Sequence, residues 1–507
     1  MTEYSQLEQT RLEKLESLRA QGIEPYPSRA HRTHTSAQAI AAFEAAEASA
    51  QEDETPEVSA TLVGRLRSMR PMGKIVFSHI EDGDGRVQLF FRANDIGKDQ
   101  LALLKDTFDL GDFIQAEGVM FRTRTGEVTL RVSAFHMLAK AITPLPAAKE
   151  QEVEGEIVRY AALSDPETRY RQRYADLAVN PEVRRIFKVR AGVIRALRAF
   201  MDNHEFLEVE TPVLQPIYGG AAARPFVTYH NQLKQELFLR ISFELYLKRL
   251  LVGGLERVYE IGRDFRNEGV DKTHNPEFTM LEFYWAYADY EQVMQFTEDM
   301  LRYVATEVLG EPRFTYQGQE VDLSQPWMRI SLKDAVHEFA GIDLDAYPTA
   351  ETLGAAMKAR DLDAPTGAPR GKLIDKLVGE FVEPQLVQPS FLYDYPRDIS
   401  PLAKSLPDDP NVVERFEGFM AGFELCNAFT ELNDPIDQLA RFEEMGRAFD
   451  ANDEDRHPMD EDYLQAMKYG MPPNGGFGMG VDRLVMLLAD APNIREVLLF
   501  PHLRSKE

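Results

Sequence analysis

Leucines at 7, 12, 15 and 18 recur at helical spacing and are followed by Gly22, which predicts an amphipathic helix over 3–21. The Ala-rich stretch 37–54 predicts a second helix ending in acid. From about 60 to 145 the period changes to two. "TLVGRLRSMRPMGKIVFSHI" and "RVQLFFRAND" flank the turn "EDGDG"; "DFIQAEGVMFRTR" and "EVTLRVSAFHML" flank "TG". Short strands joined by Gly/Asp turns at this density predict a small β-barrel. The alternation sends Val87, Leu89 and Phe91 to the core, with Gln88 and Phe90 on the opposite face. Phe77 and His79 likewise alternate with Val76, Ser78 and Ile80. "TPLPAAKEQEVEGE" (143–156) has the Pro and charge content of a linker. A long helix is expected from Asn180-Pro181, a capping residue followed by proline at the first helical position. Val183, Ile186, Val193, Leu197 and Phe200 supply its apolar face. "EFLEVETPVLQP" then predicts a strand stopped by prolines. Residues 310–388 contain several helix-like pieces and look like an insertion between two parts of a site.

The composition adds limits. A chain of 507 residues is long enough for several domains with sizeable cores. No apolar run reaches membrane-spanning length, and the polar, acidic start is no signal peptide, so the expectation is a cytoplasmic protein without a membrane partner. The single cysteine, Cys426, rules out a disulfide framework and a Cys-based zinc site. The net charge of -26 argues against a general nucleic-acid coat protein. It leaves room for local basic patches. Arg65, Arg67, Arg70 and Lys74 stand in a stretch (60–80) without acid, beside Phe77 and near Gln88. Single-stranded RNA needs that combination: charge for phosphate, a ring for stacking, an amide for base edges.

Three stretches carry candidate chemistry. In "FRNEGVDKTHNPEFTMLEFY" (265–284), Arg266 and Glu268 precede a polar turn, and Phe278, Glu282 and Tyr284 follow it on an apolar strand. The arginine fork suits a phosphate, and Phe278 is a platform for a nucleobase. "NGGFGMGVDRLVMLLAD" (474–490) is Gly-rich and runs into a helix. Val481 breaks any G-x-G-x-x-G fingerprint, and Arg483 projects from the helix start. In "RFEGFMAGFELCNAFTELNDP" (415–435), Glu417, Glu424 and Glu431 recur among apolar residues, where carboxylates need a metal or a cation. Its glycines and asparagines predict strands with a turn.

In order and spacing these stretches resemble motifs 2 and 3 of the class II aminoacyl-tRNA synthetases, and 181–212 resembles motif 1, the dimer-forming element. "GGAAARPF" (219–226), "ELYLKRL" (244–250), "ELCNAFTELNDP" and "GFGMGVDRLVMLL" refine the match to the lysyl-tRNA synthetase family, bacterial type, from about 60 to 503. The implied fold class is α+β. A helical extension (1–59) would precede a five-stranded OB-fold barrel (60–145) that reads the anticodon. A linker (146–175) and a class II catalytic domain (176–507) would follow, the latter an antiparallel sheet flanked by helices with a helical insertion at 310–388. The implied reaction activates L-lysine with ATP and passes it to tRNA(Lys), in a homodimer joined through 181–212.

The resemblance also implies residue roles. Arg266 and Arg483 would be catalytic. They would hold ATP with Glu268, His274, Asn275 and Phe278. Gly220, Glu244, Glu282, Tyr284, Asn427, Phe429 and Glu431 would hold lysine. Glu417 and Glu424 would carry Mg2+. Arg70, Phe77 and Gln88 would meet the anticodon. The sequence departs from the family at Phe243, where proline is commoner, and at Cys426 and Ala428, where many bacterial members have glycine. The rival readings are a lysine ligase that modifies a translation factor, a non-catalytic RNA-binding relative, and a sister enzyme for aspartate or asparagine. The barrel, the arginines with the Glu417/Glu424 pair, and the acidic pocket argue against them in turn.

Overall fold

Period-two alternation over the first third of the chain folds, in this computed structural model, into a closed five-stranded barrel. The structure describes residues 4–51, 56–146, 149–153, 156–160, 163–365, 367–448 and 458–504. Two compact units divide at 166/167. In the first, strands β1 (Ser59–Met72), β2 (Ile75–Glu81), β3 (Arg86–Arg92), β4 (Phe113–Arg122) and β5 (Val128–Ala139) close in the order β1-β2-β3-β5-β4, with β3 and β5 parallel. Val76, Ile80, Leu89 and Phe91 fill the interior and are fully buried.

Helices α1 (Gln6–Ala20) and α2 (Ser36–Ser49) open with capping boxes, Ser5 with Glu8 and Thr35 with Gln38. Their Leu18, Ala39 and Phe43 join the barrel core. The 1–59 extension is therefore part of the barrel unit, because its apolar stripe has no core of its own. The acidic end of the second expected helix, 52–54, lies outside the described residues.

The expected linker, 146–175, carries more structure than its composition suggested. Lys149–Val153 and Glu156–Tyr160 pair as an antiparallel hairpin; 147–148, 154–155 and 161–162 lie outside the described residues. Two short helices, Pro166–Arg171 and Arg173–Val179, follow. Arg173 is buried, pairs with Asp176 at 2.7 Å and donates to the carbonyls of Arg495, Leu498 and Leu499. These contacts lie within the second unit, which begins at Glu167, before the expected 176.

The second unit is built on an eight-stranded sheet. Its strands are β6 (Leu207–Glu208), β7 (Arg257–Phe265), β8 (Glu277–Ala286), β9 (Met328–Ser331), β10 (Ser390–Pro396), β11 (Val412–Met420), β12 (Phe423–Thr430) and β13 (Asn474–Gly480). Their order is β9-β10-β11-β12-β13-β8-β7-β6, antiparallel except for the outer pairs β9/β10 and β7/β6. The strand expected over 205–216 shrinks to two-residue pieces, Leu207–Glu208 and Leu214–Gln215. The 310–388 segment is only partly helical. It opens with a hairpin (Arg313–Tyr316 with Gln319–Asp322) and supplies β9 to the sheet before its helices pack on Leu392, Val413 and Phe419.

Pleating assigns the two faces. Leu281 and Phe283 on β8, Cys426 and Ala428 on β12, and Phe477 and Met479 on β13 turn to helices α3 (Pro181–Asn203), α4 (Tyr290–Leu309) and α5 (Val481–Ala489). They meet Val193, Leu197, Phe200, Met300, Val304, Leu484 and Leu488 there. The alternate residues, Glu282, Tyr284, Asn427, Phe429, Gly476 and Gly478, line a cavity on the other face. Asp482 ties three elements together. It accepts from Arg190 on α3 at 2.5 Å and from the Thr279 N–H on β8 at 2.8 Å.

Candidate active site

The cavity has a volume of about 770 Å³, ample for a nucleotide with an amino acid beside it. Its wall brings together Gly220, Glu244, Arg266, Glu268, His274, Asn275, Phe278, Glu282, Tyr284, Glu424, Asn427, Phe429, Glu431 and Arg483 from five separate stretches of sequence.

The sheet sets the register of its floor. Asn427, Gly478 and Glu282 form one cross-strand row; Phe429, Gly476 and Tyr284 form the next. The glycines leave the row open. A Cβ on Gly476 would stand 1.9 Å from Glu431 Oε1 and 2.6 Å from Tyr284 Cε1. Gly220, at φ 87°, closes over Glu244 and Ser242, each 2.9 Å from a Cβ built there.

Three carboxylates are buried in this floor: Glu244, Glu282 and Glu431. Glu282 accepts from the Ser242 hydroxyl (2.9 Å), the Phe243 N–H (3.2 Å) and the Tyr284 hydroxyl (3.2 Å). A proline at 243 could not supply that N–H, so Phe243 adds a donor and packs its own ring under Arg240 at 4.1 Å. Burial, with Glu244 adding, pushes Glu282 up to about 7 against these donors. Burial also lifts Glu431 well above the ordinary carboxylate range, against Lys248 and with Glu244 and Glu282 adding. Glu431 Oε2 accepts from Lys248, while Oε1 is buried and has no hydrogen-bond partner among the described residues.

The opposite end is more open. Arg266 lies with its guanidinium 5.1 Å from the Phe278 ring centre and donates to the Ile241 carbonyl through two long bonds of 3.4 Å. Arg483 donates to the Glu424 carbonyl at 2.6 Å, meets its carboxylate at 3.2 Å and touches His274 at 3.2 Å. Glu268 and His274 are exposed. Asn275 is buried; its amide donates to the Glu277 carbonyl (2.6 Å) and its Oδ1 has no partner among the described residues.

Glu417 stands apart from the other expected site residues, since it does not line the cavity. It pairs with Arg415 at 2.5 Å and accepts from the Tyr395 hydroxyl at 2.7 Å. Burial pushes it up to about 7, with Arg415 opposing and Glu424 adding. Two mutually repelling carboxylates are a hard-oxygen donor pair of the kind a divalent cation takes, and here Arg415 and Arg483 engage them.

Sequence reasoning overlooked Lys248, Ser242 and Arg415. Lys248 stands four residues after Glu244 on one helix, Glu244–Val252, and that spacing was the available signal.

On the barrel, Arg70 (β1), Phe77 (β2), Phe90 (β3) and Arg131 (β5) form one outward cross-strand row, with Phe77 and Phe90 rings 5.0 Å apart. The next row is Ser68, His79, Gln88 and Thr129. Gln88 is buried there, with its amide fixed at both ends. It donates to Glu127 at 2.6 Å and accepts from Thr129 at 2.9 Å. Glu127 also pairs with His79 at 2.8 Å and is the exposed acceptor of the row.

Residues 165–504 match the family described as tRNA synthetases class II (D, K and N), and residues 60–138 match the OB-fold nucleic acid binding domain. The lysine--tRNA ligase of Roseiflexus castenholzii is 50% identical over 505 residues, covering 100% of each chain. That of Chloroflexus aurantiacus is 51% identical over 505 residues, 99% of each, and that of Dehalococcoides mccartyi 50% over 498 residues, 98% of this chain and 97% of its own. The chain belongs to the lysine--tRNA ligase family of class II synthetases. Its barrel is the OB-fold domain of that family, and its eight-stranded sheet with flanking helices is the class II catalytic domain. Among the described residues, no helix is long and apolar enough to cross a membrane.

Proposed function

We propose that the cavity binds L-lysine over its acidic floor and ATP at its arginine end, for the ATP-dependent ligation of lysine to tRNA. The observation that carries this reading is the unpartnered, buried Oε1 of Glu431. A buried carboxylate oxygen without a donor calls for a cation, and Glu282, Tyr284, Asn427 and Phe429 surround the place where an ε-ammonium would sit. Glu244 and Gly220 would take the α-amino end, leaving the lysine carboxylate beside Arg266. The side chain of aspartate or asparagine would bring no positive charge to offset Glu282 and Glu431.

Arg266 and Arg483 would clamp the phosphates, Phe278 would stack on adenine, and Glu268, His274 and Asn275 would complete the ATP site. The lysine carboxylate then attacks the α-phosphorus in line, pyrophosphate leaves, and lysyl-adenylate forms without a covalent enzyme intermediate. A ribose hydroxyl at the tRNA 3′ end displaces AMP in the second step. Glu417 and Glu424 would hold Mg2+, which supplies charge neutralisation at the phosphates when bound. Arg70 and Phe77 suit phosphate and base stacking in an anticodon loop. Gln88 supports Glu127 as the polar edge instead of offering a free amide. The 181–212 region would join two copies of the chain, in the cytoplasm where ATP and tRNA are at hand.

Lysine-dependent ATP–pyrophosphate exchange tests the reading, with each of the twenty amino acids in turn. Exchange with lysine alone is expected, and Glu431→Gln should lose it by at least about 30-fold in kcat/KM, from a buried charge pair worth about 2–5 kcal/mol. Exchange supported by aspartate or asparagine would overturn the lysine assignment. Exchange with no amino acid, in folded protein with Mg2+ added, would overturn the catalytic one.

A further inference from the structure

Lys248 is fully buried on the far side of the acidic floor, and neither binding nor chemistry in the proposed reaction uses it. Its ammonium donates to Glu244 Oε1 at 2.7 Å and to Glu431 Oε2. It also lies 5.9 Å from the Phe429 ring centre and 5.6 Å from that of Tyr463. One buried lysine thus joins the two carboxylates assigned to opposite ends of the substrate.

We infer that Lys248 is an internal counter-ion that opposes proton uptake by Glu244 and Glu431, holds both turned toward the cavity, and so sets how many positive charges the pocket accepts from its amino acid. This inference rests on the lysine-pocket reading above. With all three buried carboxylates ionised, as bound ammonium groups favour, the one buried ammonium leaves the floor short of two positive charges. Free lysine brings two, on its α- and ε-amino groups, while its carboxylate goes to Arg266. With a second internal cation the floor would suit an amino acid of lower charge. With none, Glu431 would hold a proton more tightly, and lysine would have to displace it.

The groups facing Glu431 agree with this assignment. Lys248 and Glu244 come from helix Glu244–Val252, Glu282 and Tyr284 from β8, and Tyr463 from helix Glu461–Lys468; β13 contributes the side-chain-free Gly476. Lys248 is the one cation among them, and Arg415 acts on Glu244 from β11. Burial opposes the charge on Lys248, but Glu244 and Glu431 outweigh it and hold its pKa well above the ordinary lysine value. Because it touches neither ATP nor the reacting carboxylate, Lys248 is a positioning residue.

Lysine-dependent pyrophosphate exchange from about pH 6 to pH 9 tests the inference on full-length wild type, Lys248→Met, Lys248→Arg and Glu431→Gln. Lys248→Met is expected to raise the lysine KM by ~10- to 100-fold near pH 6.5. That defect should shrink as the pH rises toward 8.5 and proton loss from Glu431 is favoured. Its kcat and ATP KM should stay within about threefold of wild type, and Lys248→Arg should restore the wild-type pH profile. A lysine KM unchanged in Lys248→Met, or a defect equal at every pH, overturns the counter-ion role. If Glu431→Gln also leaves the lysine KM unmoved, the pocket reading itself falls. If only Glu431→Gln raises it, the counter-ion inference alone falls. Should Lys248→Met fail to fold, the wild type still decides. Calorimetry of lysine binding at about pH 8, in buffers of different protonation enthalpy, should show release of less than about 0.3 proton. Release of a full proton means that Glu244 or Glu431 is protonated before lysine arrives, and overturns the inference.

Discussion

The two ends of the cavity are built on opposite principles. At the amino-acid end, Glu244, Glu282 and Glu431 are buried and held by Ser242, the Phe243 N–H, Tyr284 and Lys248 before any ligand arrives. At the phosphate end, Arg266 makes only long bonds to one carbonyl among the described residues, and Glu268 and His274 are exposed. The contrast follows from what each end must recognise. A single ammonium gains most from carboxylates already stripped of water and fixed in place. A triphosphate carries its own charge and cations, and gains from arginines that are free to follow it. Mutations in the floor should therefore register in the empty protein, and mutations at the phosphate end only in its kinetics.

The largest expected effect comes from Arg266→Ala, with kcat for pyrophosphate exchange down by ~10²–10³ and the melting temperature of the ligand-free protein unchanged. A change of several degrees there would break the contrast. Glu244→Gln should act in the opposite sense. It should raise the lysine KM by about 10²-fold and also shift the melting temperature of the empty protein, since Lys248 loses one of its two partners. Phe278→Ala is expected to raise the ATP KM by ~10-fold, from stacking worth about 1–3 kcal/mol, and to leave the lysine KM alone.

A smaller effect concerns pH. Glu282 is pushed up to about 7 from an ordinary 4.5, so between those values the empty folded protein holds a proton that the unfolded chain has released. Its contribution to stability is full below about 4.5 and is lost as the pH rises through 7. A bound ammonium draws that pKa down again. Lysine should therefore raise the melting temperature more at pH 8 than at pH 6, by about 1–3 °C in thermal scans, and Glu282→Gln should abolish the difference. The least effect is expected at Cys426. It turns to the core side of β12, and burial pushes its thiol up from the ordinary value. Cys426→Ala should change exchange rates by less than about twofold.

Legibility in the sequence followed the same division. The barrel strands and the β11/β12 hairpin were legible because period-two alternation and turn residues are local signals, whereas the set of cavity residues was named through the resemblance to the family's motifs. Lys248 was not, since a Glu–Lys pair four apart on a helix has the form of an ordinary surface ion pair. Its burial depends on Glu431, 183 residues away. Arg173 was hidden for a related reason: its partners are carbonyls near the end of the chain, and a polar segment whose partners are distant has the composition of a linker. At Gln88 the residue was legible, but the lock on its amide was not, because Glu127 and Thr129 reach it only when the barrel closes.

Strand β13 has a consequence for how the gene can change. Every base substitution at the first or second position of a glycine codon adds a side chain or ends the chain. At Gly476 the smallest addition meets Glu431 and Tyr284, and at Gly475 it meets Val293 at 2.7 Å. A strand with glycine at four of its seven positions is thus among the stretches least able to drift, and neutral variation between close relatives should collect elsewhere in the catalytic unit.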